Sequence, residues 1–210
     1  MNCAAVAGFL AALSLASSQT TPPNSQPTQP PLPNTERIEA GQQQSPSGDT
    51  ITWRIRLLPL SSFPDLPPLV AADLSRRQCM IPQSFEAKQP ENVIRGAFHA
   101  PGTSDWAVLF STGGVTTLYV FFAGQFEAPI ALRSQPDSTW LGAEPGSAIF
   151  GSSWGIAVRS AAELRDTPQL RHAAAIDHDA IDDARLERSL VIHYYQAGKW
   201  LNLNRGDSSD

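Results

Sequence analysis

The chain has 210 residues, 41% of them hydrophobic and 17% charged, with a net charge of -5 spread along its length. No Lys/Arg block is present that could release counterions from a nucleic-acid backbone, which excludes nucleic-acid binding by charge. Basic charge is almost wholly arginine, since Lys88 and Lys199 are the only lysines, and this suits carboxylate pairing better than membrane attachment.

Ala4 to Ala16 is an uncharged apolar run followed by small residues, a pattern that predicts an export signal over 1–18 with cleavage near Ala16 or Ser18. The run is shorter than the about 20 residues a transmembrane helix needs, and no later stretch reaches that length, so no transmembrane segment is expected. Cys3 precedes the run and is not placed to accept a lipid. Residues 19–49 read as a disordered linker: Thr20 to Gly48 holds seven prolines and hardly any large apolar side chain, too little to offset the entropy of ordering. Its proline density favours an extended spacer. These readings place the protein in the periplasm or outside the cell.

From Thr50 onward the chain is long enough for one core and too short for two ordinary domains, so 50–205 is read as one globular domain and 206–210 as a disordered tail. Ile51, Trp53, Ile55 and Leu57 alternate with Thr52, Arg54 and Arg56, the period of a strand with one buried face. Leu66, Leu69, Val70 and Leu74 then recur at helical spacing; Pro67 and Pro68 are tolerable in a first turn, and Arg76 and Arg77 suit the helix C-terminus. After export Cys79 is the single remaining cysteine, so no internal disulfide is expected; its apolar setting, Gln-Cys-Met-Ile-Pro, predicts a buried, inert thiol.

Val93 to Phe98, Trp106 to Phe110 and Val115 to Phe122 are apolar runs separated by Pro101-Gly102 and Thr112-Gly113-Gly114, which predicts an antiparallel meander. Both faces of Trp106 to Phe110 are apolar, so that strand is expected to be covered on both sides. Further strands are expected at Pro129 to Leu132, Trp140-Leu141 and Ala148 to Val158. Ser160 and Glu163 have capping-box spacing, and a short helix should run from Ala161 until Thr167-Pro168. Leu190 to Tyr195 and Lys199 to Leu203 flank Gln196-Ala197-Gly198, a hairpin in which Trp200 would meet Tyr194 or Tyr195. The expected fold is a single, mainly β, antiparallel domain with two or three short helices.

Three constellations bear on chemistry. Gly151-Ser152-Ser153-Trp154-Gly155 has the G-x-S-x-G spacing of a nucleophile elbow. Asp177 or Asp182 with His193 follows in the chain order of α/β-hydrolases, giving a serine-hydrolase alternative built on Ser153, Asp177 and His193. An elbow should close a βαβ series, however, and the preceding region reads as hairpins. Second, Asp177, Asp179 and Asp182 are close-spaced carboxylates of the kind a hard cation such as Ca²⁺ requires, giving a calcium-stabilised alternative. They depart from an EF-hand at Ile181, Asp182 and Arg188. His178 and Asp182 have i,i+4 spacing without a third local ligand for a transition metal, and His99, His172 and His193 read as structural or exposed. Third, Asp105-Trp106 reads as a turn acid and a core indole, and secondarily as a recognition pair. No other cofactor is implied.

Cys79-Met-Ile-Pro-Gln83, Asn92-Val-Ile-Arg-Gly96-Ala-Phe98, Asp105-Trp-Ala-Val-Leu109, His178-Asp179-Ala-Ile181, Tyr194-Tyr195 and Gly198-Lys199-Trp200 together resemble a domain of uncharacterised secreted bacterial proteins. Gly96-x-Phe98 and Asp105-Trp106 are also similar to a blade of FG-GAP or VCBS-type repeats, which implies adhesion or ligand binding. The chain lacks that family's Asp-rich loop between those strands and shows no repeat at blade period. The functional expectation is a secreted, non-enzymatic binding or structural module of the cell envelope.

Overall fold

The computed structural model describes residues 34–45, 47–170, 176–186 and 189–206. The expected signal over 1–18, the first part of the expected linker, His172, Arg188 and the tail 207–210 lie outside them. Over these residues the protein is mainly β, with several antiparallel sheets and two helices. Among the described residues no helix is long and apolar enough to cross a membrane.

The first sheet is built on β2 (Thr50–Leu58). On one edge it pairs in full antiparallel register with β1 (Arg37–Gln44). Its other edge is shared by two partners: β3 (Ile81–Gln83) lies antiparallel to Arg56–Leu58, and β9 (Ile149–Ser152) lies parallel to Thr52–Arg54. The short β8 (Leu141–Ala143) completes the sheet beyond β9. As the alternation predicts, Ile55 and Leu57 are buried with Met80 and Leu141, and Ile51, Trp53 and Phe150 pack against them. Thr52, Arg54 and Arg56 take the opposite face.

The presence of β1 corrects the linker reading. Residues 37–44 are polar enough to pass for a tether, but Gly41 lies opposite Trp53, and the indole occupies the space where a Cβ at 41 would stand, 2.6 Å from it. An edge strand needs only alternate cover, and the burial of β1 alternates between exposed and half-buried positions.

The second sheet is the expected meander: β4 (Val93–Gly96), β5 (Asp105–Thr112), β6 (Val115–Phe121) and, beyond them, β7 (Ile130–Pro136). Every residue of β5 from Asp105 to Ser111 is buried. One face, with Trp106, Val108 and Phe110, packs against α1 (Pro68–Arg76) through Val70 and Leu74. The other, with Ala107 and Leu109, packs against the third sheet through Trp154, Ile156 and Ile181. Each large aliphatic or phenyl side chain among these gains about 1.5–3 kcal/mol from leaving water, so β5 anchors both layers. Helix α1 starts at Pro68 as expected and stops where Gln78 turns left-handed at φ 58°.

The third sheet is a second four-stranded meander: β10 (Trp154–Arg159), β11 (Ala180–Arg185), β12 (Ser189–Gln196) and β13 (Lys199–Gly206). Between β10 and β11 lies α2 (Ala161–Arg165), where Ser160 and Glu163 form the expected capping box. In the β12–β13 hairpin Tyr195 is the residue opposite Trp200, with ring centroids 5.5 Å apart, while Tyr194 faces Leu201.

Candidate functional site

Ser153 sits where the chain leaves the first sheet for the third, between β9 and β10. Its N–H and its hydroxyl both donate to the Trp140 carbonyl, at 2.8 and 2.9 Å, and its own carbonyl accepts from Leu186 N–H. A strand follows it where an elbow needs a helix. The first glycine of the motif has a packing cause, since a Cβ at Gly151 would stand 2.6 Å from Phe85 Cβ, as one at Gly142 would stand 2.8 Å from the Phe85 ring, whereas Gly155 has only Asn92 Oδ1 at 3.9 Å. Gly142 and Gly151 are cross-strand partners, and together they form the bed on which Phe85 lies.

His193 contacts neither Ser153 nor Asp177. Its Nε2 lies 2.8 Å from Asp183 Oδ2 and its Nδ1 lies 2.7 Å from Asn202 Oδ1. Asp183, fully buried, also accepts the indole N–H of Trp154 at 2.6 Å and faces Arg133 Nε at 3.3 Å. The Arg133 guanidinium lies 4.7 Å over the Trp140 ring, so a buried carboxylate with three donors joins the second sheet to the third.

The acidic run is a loop only over residues 177–179. Its second half is β11, whose pleat sends Asp182 and Asp183 to opposite faces. Asp182 takes a bidentate pair of bonds from Arg159 at 2.6 and 2.7 Å. Asp179 accepts from Ala97 N–H at 3.0 Å. Asp177 is paired with His178 at 3.0 Å, whose other ring nitrogen lies 2.8 Å from the Tyr195 carbonyl; the His178 contact holds the Asp177 carboxyl below its ordinary range. Among the described residues no three His, Cys, Asp or Glu side chains converge as a metal site requires.

Asp105 is a turn acid, as read. Its Oδ2 accepts from Phe98 N–H, His99 N–H and the Thr103 hydroxyl and lies 2.8 Å from His99 Nδ1, while Oδ1 accepts from Ala123 N–H. Burial pushes this carboxyl up, and the donors from Ala123, His99 and Thr103 more than offset it, leaving it below its ordinary value. Trp106 is core. Cys79 is buried with a free thiol, and burial pushes that thiol well above its ordinary range, against the pull of Arg77.

A concave site forms where β2 changes partners. β9 leaves β2 after the Arg54–Gly151 pair, and β3 joins it at the Arg56–Gln83 pair. Beyond these the two departing strands are held together by Phe85 N–H on the Ser152 carbonyl at 2.8 Å. The resulting cleft has a volume of about 200 Å³ and is lined by Arg54, Arg56, Phe85 and Glu144, with Ile38 of β1 at its edge. Arg54 is fully engaged by Glu144, Nε to Oε1 at 3.2 Å and Nη2 to Oε2 at 2.7 Å. Arg56 donates to the Ala87 carbonyl at 3.1 Å, and its nearest carboxylate is Glu36 at 3.9 Å. The floor is fixed, because the Gln83 amide donates to the carbonyls of Ile81, Pro82 and Glu91. The outward alternation of Arg54 and Arg56 was the visible signal for this site; Phe85 and Glu144 carried none.

Comparison of the chain with protein-family models, curated proteins and solved structures finds no match.

Proposed function

We propose that the protein is a non-enzymatic binding module of the cell envelope or extracellular space that takes its ligand in the cleft on the outer face of β2. The observation that carries this reading is the contrast within the cleft. Arg54 is neutralised by Glu144, while Arg56 spends one hydrogen bond on a backbone carbonyl and lines the same cleft as Phe85. A preformed concave site with a few placed polar groups is the usual form of a small-ligand site. The apolar run over Ala4 to Ala16 and the proline-rich tract after it support an exported location.

The test places a photo-cross-linking amino acid at Ile38, which is 60% exposed at the edge of the cleft, in the full chain expressed in cells. Val158, exposed on β10, serves as the control position. Intact-mass spectrometry of envelope and medium fractions reads the adducts. A defined adduct at position 38 that disappears in Arg56→Ala supports the reading. No adduct, or the same adducts at both positions, overturns it.

A further inference from the structure

Resting on that reading, we infer that the ligand is a carboxylate bearing one small apolar group, with its charge on Arg56 and its apolar part between Phe85 and Ile38. The volume sets the size. About 200 Å³ falls below the roughly 300–1,000 Å³ of pockets that enclose drug-sized ligands, so the cleft takes one side-chain-sized group.

Charge sets the sign. Arg54 and Glu144 cancel one another, and the long, half-exposed Arg56–Glu36 contact is of the kind that contributes little. The net attraction at Arg56 is therefore for one negative charge, and the planar guanidinium fork matches a carboxylate in bidentate geometry. With Arg54 spent on Glu144, a single guanidinium is left to meet the ligand, which matches one negative charge and disfavours a doubly charged phosphate. Phe85, held over the Gly142–Gly151 pair, and Ile38 supply apolar walls that reward an apolar substituent over bare acetate.

The two sources of such a carboxylate are a free organic acid and the C-terminus of a peptide. The test titrates the purified full chain by calorimetry with N-acetyl-leucine, its amide, acetate, inorganic phosphate and the tripeptide Ala-Ala-Leu. Binding of N-acetyl-leucine is expected to exceed that of the amide by about tenfold or more, the worth of a charge-assisted hydrogen bond. Acetate and phosphate should both bind more weakly. Arg56→Gln should lose about the same factor and Val158→Ala none. Ile38→Glu, a surface change that adds a repelling carboxylate at the rim, should also weaken binding and serves if Arg56→Gln does not fold. Tighter binding of the tripeptide supports the proposal with a chain terminus as source, and equal binding supports it with a free acid. Amide or phosphate binding as tight as N-acetyl-leucine overturns the carboxylate. If no carboxylate binds while the Ile38 cross-link persists, this inference fails and the binding-module reading stands.

Discussion

The side-chain carbonyl of Asn92 accepts the backbone N–H of Ile156 at 3.1 Å, joining the start of the second sheet to the first strand of the third. The Asn92 amide donates to the carbonyls of Pro82 at 2.7 Å and Trp154 at 3.3 Å, and its own backbone carbonyl accepts from Leu109 N–H at 2.9 Å. One buried residue thus touches β3, β5 and β10, a strand from each sheet. It does so from a left-handed backbone, φ 73°, a conformation asparagine tolerates better than most residues.

Replacing Asn92 separates these contributions. Asn92→Ala removes three buried side-chain hydrogen bonds, of whose backbone partners the Pro82 carbonyl alone keeps a second side-chain donor, the Gln83 amide, and it leaves a Cβ in left-handed space, so a loss of about 2–4 kcal/mol is expected. Asn92→Gly loses the same hydrogen bonds but relieves the backbone and should be about 1 kcal/mol less damaging. Thermal midpoints resolve the difference, since 1 kcal/mol moves a domain of this size by roughly 2–4 °C. Equal midpoints for the two variants would show that the left-handed conformation is not held.

Asp105 makes stability depend on acid. Its folded carboxyl lies below its ordinary value because donors outweigh burial, so the unfolded chain binds the proton first and stability rises with pH across the window. The contribution is present above the unfolded value of about 3.9 and is lost as pH falls through the lower folded value. Urea midpoints at pH 7, 5 and 3 should fall with acid in the native protein. In Asp105→Asn the midpoint should start lower at pH 7 and fall less; parallel profiles would remove Asp105 as a source of the acid sensitivity.

Asp183 tests the junction of the second and third sheets. Asp183→Ala leaves Arg133, His193 and the Trp154 indole facing an empty site, and breaking a buried charge pair from one side costs about 3–5 kcal/mol. Chemical denaturation should show that loss. A change below about 1 kcal/mol would mean that water replaces the carboxylate without penalty.

What the sequence made legible was local. Alternation at Ile51 to Leu57 identified β2 and put Arg54 and Arg56 outside, turn residues outlined β4 to β6, and Ser160 with Glu163 marked α2. Joins between distant residues stayed hidden: Phe85 on Gly151, Asn92 on Ile156 and Asp183 on Arg133 each connect segments whose approach no local period reports. The acidic run misled for the same reason. Burial of Asp183 is offset by donors from β7, β10 and β12, so a charged residue sits inside a strand that composition reads as solvated.

The packing role of Gly151 can be tested by a double-mutant cycle. Gly151→Ala places a methyl 2.6 Å from Phe85 Cβ and 3.0 Å from Glu144 Oε1, and overpacking of that kind costs about 1–3 kcal/mol. Because the first contact is with Phe85 Cβ, an atom alanine would keep, Gly151→Ala should be markedly less harmful on a Phe85→Gly background, giving a coupling of about 1 kcal/mol or more. Additive effects would separate Gly151 from Phe85.

Strand β1 gives a truncation test of where the folded body begins. A chain starting at Thr35 keeps all eight β1–β2 register pairs and the Gly41 seat for Trp53, whereas one starting at Thr50 loses both and bares the β2 edge. The first truncation should melt with the full chain. The second should melt several degrees lower, with Trp53 newly wetted and emission shifted to the red, and it should also lose the Ile38 wall of the cleft. Loss of apolar cover from an indole and of an edge strand's ladder together exceeds the about 1 kcal/mol that such midpoints resolve. Identical melting of the two truncations would mean that β1 adds no stability to the sheet on which the cleft is built.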